Sequence, residues 1–139
     1  MKKITLVICI LFSTSSFCQK ISYKDLIGNW KSTDTADHVP MVEFKFIDSS
    51  HVIQLFSMMG TVLADTLAYA LNNSFSLTMI HLTGKSNENE KIDESWFVKI
   101  INRDTLKIQG KNDGSKPIKW DENETLNNTG TMIRVKDPQ

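Results

Sequence analysis

The sequence predicts an all-β protein, a small antiparallel up-and-down β-barrel of about eight strands. Three observations predict it. Apolar residues recur at every second position in run after run, no segment past residue 20 keeps a helical period for three turns, and short clusters of turn-forming residues separate the runs. Sequential strands joined by hairpins form a meander, and a meander of about eight strands closes into a barrel.

The first twenty residues, MKKITLVICILFSTSSFCQK, have the order of an export signal. Lys2 and Lys3 precede the apolar run 4–12, which is too short to span a bilayer, and small polar residues follow. Cleavage after Cys18 makes residues 1–18 a signal peptide and 19–139 a single β-barrel domain, periplasmic or secreted. Lipid anchoring at Cys18 is disfavoured, because Ser15 and Phe17 occupy places where a lipobox needs an aliphatic and a small residue.

Cys9 and Cys18 are the only cysteines, so the segment after the leader has no disulfide, thiolate nucleophile or cysteine metal site. The whole chain carries 16 basic and 16 acidic residues. Loss of the leader removes two lysines and leaves a slight acidic excess, which excludes a phosphate-neutralising face for nucleic acid.

The elements follow in order. Tyr23, Leu26 and Ile27 have helical spacing for one turn, which Gly28 stops. MVEFKF sets Val42, Phe44 and Phe46 on one face, against Glu43 and Lys45. FSMMGT ends a strand at Gly60, with Met58 and Met59 pointing to opposite faces and one of them at the barrel rim. TLAYAL sets Leu67, Tyr69 and Leu71 inward, and Asn72 and Asn73 turn the chain. FSLTM aligns Phe75, Leu77 and Met79, with His81 continuing that face. WFVKII aligns Trp96, Val98 and Ile100, and TLKIQ aligns Leu106 and Ile108. Residues 83–94 and 110–129 read as long polar links, the second with Trp120 among turn formers.

Gly28-Asn29-Trp30, in LIGNWKST, resembles the Gly-x-Trp signature that opens the first strand of lipocalin-like domains. The GTMIRVKDP ending supplies Arg134 where that family places a last-strand arginine. The strand order is similar to that of the short lipocalin-like domains of exported bacterial proteins. The resemblance implies a structural role for Gly28, Trp30 and Arg134: the indole closes one end of the barrel and the guanidinium lies over it, a contact of about 0.5–2 kcal/mol.

A barrel of this size either holds one small ligand or fills itself with side chains. The first case implies a non-enzymatic carrier for a small hydrophobic ligand, bound inside or at the mouth by Phe44, Tyr69, Leu77, Met79, His81 and Trp96. The second implies an interaction or inhibitor module that meets an exported protein partner through its rim loops. No nucleophile elbow or phosphate loop is present, and the acidic clusters at residues 88–94 and 121–124 sit in hydrophilic links where carboxylates make poor acid–base pairs. His38, His51 and His81 are too far apart in sequence for a short metal motif. No catalytic residue, cofactor, metal or transmembrane segment is expected in the mature protein.

Overall fold

A computed structural model describes residues 20–34, 41–58, 60–111, 115–125 and 128–136. The leader, Cys18, His38 and the side chains of Met58 and Met59 lie outside the described residues. A four-residue helix, α1 (Tyr23–Leu26), precedes eight strands: β1 (Gly28–Ser32), β2 (Met41–Phe46), β3 (His51–Met58), β4 (Thr61–Asn72), β5 (Thr78–Lys85), β6 (Lys91–Asn102), β7 (Thr105–Gln109) and β8 (Thr129–Val135). Each strand pairs antiparallel with the next, and β8 returns to β1, so the sheet is a closed barrel in chain order. Among the described residues no helix is long and apolar enough to cross a membrane.

Closure is concentrated at one end. Ser22 starts α1, and its amide and hydroxyl both donate to Asp25 Oδ2, at 2.8 and 2.7 Å. Those bonds hold the Asp25 carboxyl below its ordinary range. The helix delivers Leu26 into the barrel end, and the Leu26 carbonyl accepts from Trp30 Nε1 at 2.7 Å. Trp30 is 1% exposed, and its cross-strand partner is Arg134. The Arg134 guanidinium stands 4.2 Å from the indole centroid. It also donates to the carbonyls of Ile27 (2.6 Å), Asp25 (2.9 Å) and Arg103 (3.3 Å). Gly28 is required here twice over. Its φ of +122° suits only glycine, and a Cβ at that position would lie 3.0 Å from Arg134 Nη1.

The inward rows are Phe44 and Phe46 on β2, Val52 on β3, Leu67 and Tyr69 on β4, Val98 on β6, Leu106 on β7 and Met132 on β8. Edge-on aromatic contacts knit them together, Phe44 to Trp96 at 5.3 Å and Phe46 to Tyr69 at 5.1 Å between centroids.

Strand β5 departs from expectation. Ile80 and Leu82 are its contribution to the barrel core, whereas Leu77 and Met79 pack with Phe75, Phe97 and Trp120 in a second cluster. His81 shares the outer row with Met79, so the expectation that Leu77, Met79 and His81 face the interior is corrected. The cause is the β7–β8 connection, which straps across the outside of the barrel. In register across four strands stand Met79, Phe97, Gln109 and Thr129. Trp120, 8% exposed, covers that row. Gln109 pins the strap, its amide donating to the Asp121 carbonyl (2.9 Å) and its oxygen accepting from the Asp121 amide (2.6 Å). Lys107 and Glu124 form an ion pair beside it, which holds the Glu124 carboxyl below its usual range.

The expected polar link 83–94 is mostly strand. β5 and β6 run on to Lys85 and Lys91 and leave only residues 86–90 as the turn. Lys85, Lys91 and Asp93 belong to an exposed outer row, which sequence polarity alone does not separate from a loop, whereas Glu94 pairs with Leu82 on the inward row, where burial raises its carboxyl pKa.

Trp30→Ala should cost about 3–5 kcal/mol, as buried Trp-to-Ala changes do, and lower the thermal midpoint by more than about 10 °C. Arg134→Lys should recover less than half of the loss seen in Arg134→Ala, since one ammonium cannot serve three carbonyls and a ring face. Thermal unfolding followed by circular dichroism measures both, and an unchanged Trp30→Ala melt contradicts the closure role.

Candidate functional site

Three places could carry function: the barrel interior, its open end, and the outer wall beside the strap. The interior is packed. The cavity between its walls has a volume of about 10 Å³ and an entirely apolar lining that includes Phe44, Ile80, Leu82, Trp96, Val98 and Met132. A single water needs about 10–15 Å³, and ligand pockets run to about 300–1,000 Å³. Large residues of β1, β2 and β5 to β8 cause this: the Trp96 indole meets Phe44 edge-on, and Leu26 and Trp30 plug the closed end. Of the six side chains expected to bind a ligand, Phe44, Tyr69 and Trp96 meet in this core, while Leu77, Met79 and His81 lie across the sheet from it. Tyr69 is committed to structure, its hydroxyl donating to the Asp48 carbonyl at 2.6 Å, and burial pushes its phenol pKa up.

The open end carries the β3–β4 hairpin and the β5–β6 turn. Residues 52–64 contain no charged side chain. Within them Val62 is 61% and Leu63 48% exposed. Leu63 lies on the same row of β4 as the inward Asp65 and Leu67, at the barrel mouth, and Val62 lies on the outer row. β5 pairs with β4 only from Ala68 onward, so the hairpin stands proud of its neighbour. Asn87 bridges the gap, donating from its amide to Asp65 Oδ1 (2.8 Å) and from its side chain to the Ala64 carbonyl (2.7 Å). The turn itself exposes Glu88 and Glu90.

The outer wall carries a groove of about 480 Å³ bounded by Asn72, Met79, His81, Asp93, Ser95 and Lys116. His81 and Ser95 are direct cross-strand partners, with Nδ1 and Oγ 2.9 Å apart. His81 Nε2 stands 3.5 Å from Asp93 Oδ1, and Lys91 Nζ stands 3.0 Å from Asp93 Oδ2. Lys91, chiefly, keeps the Asp93 carboxyl below its ordinary range, with a smaller contribution from His81. Among the described residues no three metal-ligating side chains converge.

His51 belongs to a different kind of cluster. In the β2–β3 turn, Asp48 Oδ1 accepts the amides of Ser50 (2.7 Å) and His51 (2.8 Å), and the His51 ring lies 3.0 Å from Oδ2. These bonds hold the Asp48 carboxyl at about 2, against an ordinary 3.8, the Ser50 amide contributing most. The cluster orders a turn.

No family model, curated protein or solved structure matches the chain. The features that sequence reasoning missed are the outer row and its strap. The available signal was a lone Trp120 within an otherwise polar link, together with apolar residues on both rows of β5.

A carboxylate whose folded pKa is depressed contributes stability above its unfolded value and loses it as pH falls through the folded one. Between pH 4 and 2 the parent protein should therefore lose more stability than Asp48→Asn. Thermal midpoints across that range measure the difference, and parallel pH profiles would contradict the turn-ordering role of Asp48.

Proposed function

We propose that the chain is a short lipocalin-like domain, exported and non-enzymatic, that works as a filled-barrel interaction module and meets another exported protein through its open-end loops. The observation that carries this reading is the interior of about 10 Å³, which leaves no volume for a guest. The rim supports it. The uncharged β3–β4 hairpin offers Val62 and Leu63, and the neighbouring turn offers Glu88 and Glu90, an apolar contact flanked by acidic residues. A second reading, capture of an apolar molecule at the mouth, is favoured by Leu63, which sits on the inward row of β4 yet is half exposed.

A photo-crosslinking residue at position 62 or 63, with one at position 47 on the opposite end as control, tests the proposal in cells that export the protein. A discrete protein adduct from positions 62 and 63, lost on charge reversal at Glu88 and Glu90, is the expected result. No adduct, or equal adducts from position 47, would contradict it. A small added mass removed by organic extraction and abolished by Leu63→Asp would favour the second reading.

A further inference from the structure

The geometry points to a divalent-metal site on the outer wall of the barrel, with His81 Nε2 and Asp93 Oδ1 as its two protein ligands and a zinc-class ion as its occupant. The two atoms are 3.5 Å apart. Nitrogen and oxygen ligands on a tetrahedral zinc, each about 2.0–2.1 Å from the metal, stand about 3.3 Å from one another, so the pair needs only a small adjustment to chelate. The ring is already oriented. When Nδ1–H donates to Ser95 Oγ, 2.9 Å away, Nε2 turns its lone pair toward the Asp93 carboxylate. Two acceptors then face each other, and a cation between them relieves the repulsion.

The carboxylate has capacity to spare. Lys91 engages Oδ2 at 3.0 Å, and Oδ1 is the oxygen turned to the histidine. Both ligands stand on adjacent paired strands rather than on a loop, which fixes their spacing. The other coordination positions open into the groove of about 480 Å³, where water completes the shell. The His51–Asp48 pair is the contrast: the ring nitrogen that faces the carboxylate, Nδ1, is shared with Ser50 Oγ at 3.0 Å, and Asp48 Oδ1 is taken by two backbone amides of its own turn. An imidazole nitrogen with one carboxylate oxygen suits zinc or copper over magnesium. The cost is local positive charge, since Lys91 competes for the same carboxylate and Lys116 stands on the groove wall.

The test is titration of the untagged protein with Zn²⁺ alone, in a non-chelating buffer, by calorimetry and by amide NMR. One saturable site is expected, with the largest shifts at residues 81, 93 and 95. His81→Gln and Asp93→Asn should each weaken it at least tenfold, and Ser95→Ala, which removes the partner orienting the ring, roughly tenfold. Lys91→Ala should tighten it, a change that no purely structural role for Asp93 predicts. His51→Gln should leave it intact, and circular dichroism confirms that each variant is folded. No saturable binding up to about 1 mM Zn²⁺, binding that survives His81→Gln, or binding lost in His51→Gln would each overturn the assignment.

Discussion

The Arg134 guanidinium ties the two ends of the chain into one object. It reaches the carbonyls of Asp25 and Ile27, which precede the first strand, and that of Arg103 in the β6–β7 turn, while its face covers Trp30. A closed barrel needs its last strand to find its first, and the pairing of Trp30 with Arg134 sits in that seam. Donors on a charged group make stronger hydrogen bonds than neutral ones. Gly28 is the matching constraint, because the guanidinium occupies the space a side chain would take. The helix, the seam and the β6–β7 turn are therefore fixed by one side chain.

The strap is the second organising element. Because residues 115–125 lie over β5 to β8, those strands bury parts of both faces, and the protein gains a small second core without a second domain. Gln109 links the two systems, standing on a barrel strand while bonding to Asp121 in the strap and to Thr129 on the neighbouring strand. Trp120 adds its own restraints, an Nε1 bond to Glu124 and the Lys99 ammonium 5.3 Å from its ring centroid.

Alternation read the strands well wherever one face meets water. Val42, Phe44 and Phe46 on β2, Leu67 and Tyr69 on β4, and Val98 on β6 all face inward as their spacing indicates. The same signal lost its sign on β5. Thr78, Met79 and Ile80 are all buried there, one row by the barrel and the other by the strap, so a period of two no longer tells inside from outside. The closure residues were legible because Gly-x-Trp and a near-terminal arginine are local patterns. The His81, Asp93 and Ser95 cluster was not, since eleven residues separate His81 from Asp93 and only the β5–β6 register brings them together.

The proposed function rests on where the free volume lies. Side chains from β1, β2 and β5 to β8, with Leu26 of α1, converge on a cavity with room for about one water, while the grooves and the uncovered apolar side chains lie on the outside and at the rim. A small apolar probe of the interior examines that distribution directly. Crystals pressurised with xenon should show no xenon between Phe44, Trp96 and Val98, since the cavity there is too small to admit it. Xenon density at that position would mean an accessible chamber and would contradict the filled barrel.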